Sequence, residues 1–168
     1  TENTQPAILT VSYSIYEILI KEFNFNVQPI KYFAGHSLGE YSALVCSGAL
    51  NFEDALYLLN ERGKAMQKAV PLGEGGMIAV LGAKIDQIRN LLTKIREQNR
   101  KNVCEIANDN ADGQIILSGD TNGIEKCKEL LKDEKIKSIP LKVSAPFHCS
   151  LMKSAADEMS EKILKTNF

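Results

Sequence analysis

The chain has 168 residues, of which 44% are hydrophobic, and it carries 20 Lys and Arg residues against 21 Asp and Glu residues. This length suffices for one globular domain with a small subdomain, and the balanced charge gives no electrostatic basis for binding nucleic acid. No apolar run is long enough to predict a membrane span or a membrane partner. The four cysteines are scattered and lack zinc-site spacing, which favours a reducing, cytoplasmic location.

The first predicted helix follows Thr4, which can act as its N-cap, and it carries Pro6 in its first turn. Apolar residues recur at helical spacing and give it one apolar face: Ile8, Val11, Ile15, Ile18 and Leu19. The helix is expected to end near Phe23 and Asn24. Residues 27–34 are short, apolar and partly β-branched, which predicts a strand.

A Gly-x-Ser-x-Gly sequence, from Gly35 to Gly39, lies between that strand and a helix expected to open at Tyr41. Strand, sharp turn and helix are the context of a nucleophile elbow, in which small residues let two backbone segments approach and the serine hydroxyl stays exposed. Ser37 is therefore the candidate nucleophile, and a simple turn is the alternative. The N–H of Leu38 and the positive end of the following helix would face an oxyanion formed there.

A third helix is predicted after Asn51, with Asp54 completing a start that resembles a capping box, and residues 71–76 end it. The pattern then changes to strand, helix, strand, strand, helix, strand. These elements are expected at 77–81, 85–98, 103–107, 114–117, 124–132 and 136–143, with a turn over 108–113 and a last helix over 154–164. The order β-α-β-β-α-β is the ferredoxin-like signature.

The expected fold class is therefore α/β, with two parts. Residues 1–74 and 144–168 would form an α/β core, and residues 75–143 would form an inserted ferredoxin-like subdomain. Gly73 to Gly76 and Ser144 to Pro146 would be the two hinges.

A nucleophilic serine needs a base, and the sequence has two histidines. His36 adjoins Ser37 in the turn, where its ring is expected to point away from the hydroxyl. His148 follows a predicted strand, in a loop of the kind where catalytic groups collect, so it is the favoured base; a structural histidine is the alternative. No carboxylate is clearly placed as a third member, and a carbonyl could orient the imidazole instead. The candidates are Asp86, Asp109, Asp112 and Asp120.

Arg62 lies in the helix after Asn51, beside Gly63. An arginine on a helix is usually solvated, but the neighbouring glycine suggests that something packs closely against this face. Its guanidinium fork suits a carboxylated substrate.

Five segments resemble, in order, the malonyl-CoA:acyl carrier protein transacylase family, which is related to polyketide synthase acyltransferase domains: 35–44, 62–67, 75–77, 114–119 and 143–152. The resemblance covers essentially the whole chain. It implies an α/β-hydrolase-like core with a ferredoxin-like insert. It also implies, without a cofactor or metal, transfer of malonyl from malonyl-CoA to the phosphopantetheine thiol of acyl carrier protein in fatty acid biosynthesis.

The resemblance also implies roles for particular residues. Ser37 becomes acylated, His148 acts as general base and then as general acid, and a carbonyl orients its ring. Arg62 pairs with the free malonyl carboxylate, and the Leu38 N–H binds the oxyanion. The remaining implied substrate-binding positions are His36, Met66, Asn110 and Phe147, with Gln114 near the pocket. Phe147 borders the acyl group and suits malonyl over branched malonyl units.

Three other functions stay open: an acyltransferase domain of a polyketide synthase, a serine esterase or thioesterase that uses water as acceptor, and a scaffolding segment that never acylates. The resemblance also implies that the chain is a central segment with about half the family's length. We expect that segment alone to be a poor enzyme.

Overall fold

The computed structural model describes residues 2–168 and divides the chain into two compact units. The first unit comprises the chain up to Ala65 together with Asp157–Phe168, and the second comprises Met66–Ala156. No helix among the described residues is both long and apolar enough to cross a membrane. The elements in chain order are α1 (Thr4–Lys21), α2 (Gly39–Cys46), α3 (Phe52–Ala69), β1 (Gly75–Leu81), α4 (Ile85–Gln98), β2 (Cys104–Ala111), β3 (Gln114–Asp120), α5 (Thr121–Asp133), β4 (Lys137–Pro140), a short 3₁₀ helix (Ser150–Met152) and α6 (Lys153–Leu164).

Helix α1 begins one residue earlier than predicted. Asn3 is its N-cap and already has helical backbone angles, so Thr4 is the first helical residue and its prediction as the cap is wrong. The helix ends at Lys21, and Asn24 takes a φ of 51°, a left-handed conformation typical of the chain just beyond a helix. The predicted end near Asn24 is thus confirmed to within a few residues.

The apolar stripe of α1 is largely exposed within the described residues. Its members, Ile8, Val11, Ile15, Ile18 and Leu19, are 40–59% exposed. The buried positions of α1 are instead Gln5 and Leu9. Helix α1 packs against α2, and the Tyr16 hydroxyl donates to the Cys46 carbonyl at 2.7 Å. The periodicity therefore identified a helix correctly but not the face that it buries here.

Residues 27–34 do not form the predicted strand. A β-strand needs a neighbour that takes its N–H and C=O groups, and no strand within residues 2–168 pairs with this segment. Its backbone instead makes a local turn at Pro29, in which the Ile30 N–H donates to the Val27 carbonyl at 3.0 Å. The strand prediction is wrong for the described chain because a composition suited to strands does not supply a pairing partner.

Helix α3 begins with the predicted capping box. The Asn51 side-chain oxygen accepts from the Asp54 N–H at 2.7 Å, and the Asp54 carboxylate accepts from the side-chain amide of Asn51. The first bond satisfies one of the backbone N–H groups that lack a partner in the first turn of any helix, and the second joins the two side chains. The predicted start of α3 is therefore confirmed, and Arg62 lies further along this helix.

The second unit contains a four-stranded sheet in the order β2-β3-β1-β4, with every neighbouring pair antiparallel. Together with α4 and α5, this confirms the predicted β-α-β-β-α-β order. Apolar side chains from the sheet and both helices form one core: Ile78, Val80, Ala83, Ile88, Leu91, Ile95, Cys104, Ile115, Leu117, Ile124, Cys127 and Leu131.

The hairpin between β2 and β3 is tighter than the sequence suggested. The expected turn over 108–113 is wrong, because β2 continues to Ala111 through two irregularities, and only Asp112 and Gly113 remain between the strands. Gly113 has a φ of 73°, and an Asp-Gly pair readily supplies the positive φ that a two-residue hairpin turn needs.

Candidate active site

Ser37 occupies the tip of a tight turn before α2. Its φ is 54°, a left-handed value that is uncommon for residues other than glycine. Such backbone strain persists only where the surroundings impose it, and it concentrates at functional sites. The turn is closed by hydrogen bonds from the Gly39 N–H to the His36 carbonyl at 3.0 Å and from the Glu40 N–H to the Ser37 carbonyl at 3.1 Å.

Position 35 requires glycine because the backbone at this position lies very close to the backbone of Gly39. A Cβ atom added at Gly35 would lie 1.9 Å from both the carbonyl carbon and the carbonyl oxygen of Gly39. No side chain fits in that space, because backbone atoms fill it. The small residue before the serine is therefore a steric necessity of the elbow.

The Leu38 N–H is the amide of the turn best placed for an oxyanion. The next three amides, of Gly39, Glu40 and Tyr41, each donate to a carbonyl three residues earlier. Leu38 is the N-cap of α2, so its N–H lies at the positive end of the helix. This geometry accords with the predicted role of Leu38, which stays a prediction.

Arg62 extends from α3 to the elbow. Its Nη2 donates to the Ser37 Oγ at 3.0 Å, and its Nη1 donates to the side-chain oxygen of Gln5 on α1. One guanidinium thus connects α1, the elbow and α3 within the first unit.

The guanidinium of Arg62 has neutral acceptors. Its pKa is lowered, mainly because burial disfavours the charged form. The adjacent Glu61 pairs with Lys64 and Lys162 instead, and within residues 2–168 no carboxylate forms an ion pair with Arg62. The charge of Glu40 partly offsets the burial without forming an ion pair, so this guanidinium can still accept an anion as a direct partner.

Gln5 is a site residue that the sequence analysis missed. It is only 4% exposed, and its side-chain oxygen accepts a hydrogen bond from Arg62. It lies four positions before Leu9, the other buried residue of α1, so the two share one face of the helix. The spacing from Leu9 was the available signal, but the stronger apolar stripe on another face concealed it.

His148 belongs to the second unit, in the segment between β4 and the 3₁₀ helix. Its side chain is exposed and its φ is 58°, so this histidine, like Ser37, has a left-handed backbone. Pro146, which is buried, fixes the segment on one side: a Cβ added at Gly75 would lie 2.4 Å from the Pro146 Cγ. The Cys149 thiol donates to the Pro146 carbonyl at 3.2 Å, and burial raises the pKa of that thiol.

The other predicted site residues are distributed over both units. His36 and Leu38 flank Ser37 in the elbow of the first unit, whereas Met66, Phe147 and Asn110 belong to the second. Met66 is buried on α3, Phe147 is half-buried beside His148, and Asn110 is exposed near the end of β2. The structure brings Ser37 and Arg62 together, and the pairing of Ser37 with His148 stays a prediction.

Two of the four candidate carboxylates have structural roles. Asp120 is the N-cap of α5, and Asp86 forms an ion pair with Arg89 on α4. Asp109 and Asp112 are exposed at the β2–β3 hairpin. Orientation of the histidine by a carbonyl therefore remains the prediction. Within residues 2–168, no group of three or more His, Cys, Asp and Glu side chains could hold a metal ion.

A family model described as "Acyl transferase domain" matches residues 1–168. The chain belongs to this acyl transferase family. Its relatives include the malonyl CoA-acyl carrier protein transacylases of Bacillus subtilis, 46% identical over 96% of this chain and 49% of the relative, and of Escherichia coli K12, 39% identical over 100% and 53%. This acyl transferase chain thus spans about half the length of the curated relatives that it matches.

Solved structures agree with that assignment. FabD from Acinetobacter baumannii is 42% identical to this acyl transferase chain, with a TM-score of 0.93 over 99% of it and 52% of the solved chain. A malonyl-transacylase solved in complex with a type II PKS acyl-carrier protein is 36% identical, with a TM-score of 0.92 over 100% and 53%.

Substitution of Gly35 by alanine should distort the elbow of this acyl transferase, because the added Cβ would overlap the Gly39 backbone. We expect a loss of about 1–3 kcal/mol in the free energy of unfolding, typical of overpacking, together with loss of Ser37 acylation. Chemical denaturation measures the first effect and intact mass the second.

Gly76→Ala is the matched control, because a Cβ there meets nothing within 4 Å. Equal behaviour of the two variants would contradict a steric requirement at Gly35.

Proposed function

We propose that the protein transfers the malonyl group of malonyl-CoA to the phosphopantetheine thiol of acyl carrier protein, in fatty acid biosynthesis. The observation that carries this proposal is the hydrogen bond of 3.0 Å from the Arg62 Nη2 to the Ser37 Oγ. A neutral ester substrate would give this cation no counter-charge. The cation suits an acyl group that carries a negative charge close to its ester bond.

The malonyl group has that arrangement. In a malonyl ester of Ser37, the free carboxylate lies one methylene beyond the ester carbonyl. It would therefore be close to the Arg62 guanidinium, which already contacts the Ser37 Oγ. Guanidinium and carboxylate can form two parallel charge-assisted hydrogen bonds. An acetyl group has a hydrogen atom in place of the carboxylate and leaves the cation with its neutral partners.

The proposed reaction has two half-reactions. His148 takes the proton of the Ser37 hydroxyl as the oxygen attacks the thioester carbonyl, and the Leu38 N–H donates to the resulting oxyanion. The thiol of CoA leaves with that proton, and malonyl-Ser37 remains. The thiol of the carrier protein then attacks this ester, its proton passes through His148, and the Ser37 hydroxyl is restored.

We infer supporting roles for the remaining predicted residues. His36, Met66 and Phe147 would border the acyl group, and Asn110 would lie near the pocket. We also infer that residues 1–74 and 144–168 form part of an α/β-hydrolase-like core, with residues 75–143 as its ferredoxin-like insert. The proposed reaction is supported by curated relatives with 39–46% identity that are named malonyl CoA-acyl carrier protein transacylases.

A second candidate is loading of a polyketide carrier protein. It is favoured by the 36% identical malonyl-transacylase whose structure contains a type II PKS acyl-carrier protein. The chemistry at Ser37 would be the same, and only the acceptor would differ. Transfer rates to the two kinds of carrier protein would separate the candidates.

Intact mass after exposure to malonyl-CoA tests the nucleophile. The wild-type protein should gain the mass of one malonyl group, and Ser37→Ala should gain none, because it lacks the attacking oxygen. Ser42→Ala, which removes the hydroxyl of another serine next to the elbow, is the matched control and should acylate normally. A malonyl adduct that persists in Ser37→Ala would refute the assignment.

Arg62 should determine the preference for malonyl over acetyl. Loss of a charged hydrogen bond costs about 1.5–3 kcal/mol, so Arg62→Ala should lower the malonyl-to-acetyl acylation ratio at least about tenfold. Arg62→Lys should have an intermediate ratio, because lysine retains the charge without the planar fork. Single-turnover acylation from the two thioesters measures the ratio.

Arg89→Ala provides the control, since Arg89 forms an exposed ion pair on α4. If Arg62→Ala and Arg89→Ala both leave the ratio unchanged, Arg62 does not bind the carboxylate.

A further inference from the structure

The segment that carries His148 is attached to the rest of the second unit at several points. We call residues 144–150 the His148 turn. At its start, the Gln67 side-chain amide donates to the Ser144 carbonyl at 3.4 Å, and buried Pro146 fills the space over Gly75. At its end, Ser150 forms hydrogen bonds with the Glu105 carboxylate. This contact is the one among the three that involves a charged side chain.

The contact between Glu105 and Ser150 is specific and two-fold. The Glu105 carboxylate accepts from the Ser150 N–H at 2.7 Å and from the Ser150 hydroxyl at 2.8 Å. Hydrogen bonds to an ionised acceptor are roughly twice as strong as neutral ones. Ser150 is also the first residue of the 3₁₀ helix that leads into α6, so the carboxylate gives a partner to an N–H at a helix start, where no intrahelical acceptor exists.

The sheet aims Glu105 at the His148 turn. Cys104 and Ile106, its neighbours along β2, both pack into the core beneath α4 and α5, so Glu105 points to the opposite face of the sheet. Its cross-strand partner Ser118 is on the same face of the sheet and is fully buried. The alternation of side chains along β2 thus accounts for the side of the sheet on which Glu105 meets Ser150.

His148 lies between the two fixed ends of this turn. Its φ of 58° is a conformation that residues other than glycine adopt only when their surroundings impose it. Pro146 is fixed two residues before it and Ser150 two residues after it. Removing the carboxylate at one end would let the backbone of the turn relax from the left-handed value, and the imidazole would move with it.

We propose that Glu105 is a positioning residue for His148, acting through Ser150. This inference rests on the proposed function, in which His148 is the base for Ser37. Glu105 does not supply the proton acceptor itself. It holds the acceptor in the orientation that proton transfer needs.

The test compares Glu105→Ala and Glu105→Gln in single-turnover malonylation of Ser37. Glu105→Ala should lower the acylation rate about tenfold at saturating malonyl-CoA and leave KM unchanged, because small misplacements of a catalytic group are costly whereas substrate binding is untouched. Glu105→Gln should recover most of the rate, since the amide oxygen can still accept from the Ser150 N–H. Glu125→Ala removes a similar two-bond contact, to Lys128 on α5, and should behave as wild type.

A second pair of variants keeps the proposal testable if Glu105→Ala folds poorly. Ser150→Ala loses only the hydroxyl bond and should lower the rate about two- to threefold, as expected for one hydrogen bond of several. In the Glu105→Gln background, Ser150→Ala should lower the rate by a smaller factor, because the effects of substitutions at two residues in direct contact are not additive. Fully additive effects would overturn the proposal.

His148→Ala separates this inference from the proposed function. If His148→Ala abolishes acylation but Glu105→Ala and Ser150→Ala acylate at the wild-type rate, the positioning role is wrong and the proposed function stands. A lower melting temperature with an unchanged rate would likewise show a purely structural contact and overturn the inference. If His148→Ala acylates normally, another base serves Ser37, so the role of His148 and the positioning inference both fail while transfer through malonyl-Ser37 stands.

Discussion

The candidate site depends on the hydrogen bonds that the Arg62 guanidinium donates. This guanidinium donates to the Ser37 Oγ and to the Gln5 side chain, so it connects the elbow to α1 and α3. Burial lowers its pKa because the charged form loses solvation. The charge of Glu40 partly opposes this effect, and under the proposed function a carboxylate on the substrate would form the direct ion pair. The proposed selectivity for an acidic acyl group would therefore follow from the desolvation of one cation.

Local chemistry made much of the fold predictable from sequence. The capping box at Asn51 and Asp54 involves residues three apart, and the glycine-flanked serine predicts its own turn. The β-α-β-β-α-β order follows from periodicity within each element, because both helices bury one side against the sheet. These features need no knowledge of distant parts of the chain.

The larger misses share one physical cause, which is that strand pairing and burial depend on tertiary structure. Residues 27–34 have the composition of a strand but no partner strand within residues 2–168. The apolar stripe of α1 is real, yet the described residues bury Gln5 and Leu9 instead. Arg62 and Gln5 are 57 positions apart, and Glu105 and Ser150 are 45 apart, so no local pattern could connect them.

The central claim is that Arg62 recognises the free carboxylate of the acyl group on Ser37. Acetoacetyl-CoA tests it most directly, because this thioester has the shape of malonyl-CoA with a neutral methyl group in place of the charged oxygen. The measurement is the single-turnover rate of Ser37 acylation from each thioester. The account predicts that malonyl-CoA reacts at least about tenfold faster, the value of one charged hydrogen bond. Equal rates for the two thioesters would contradict it.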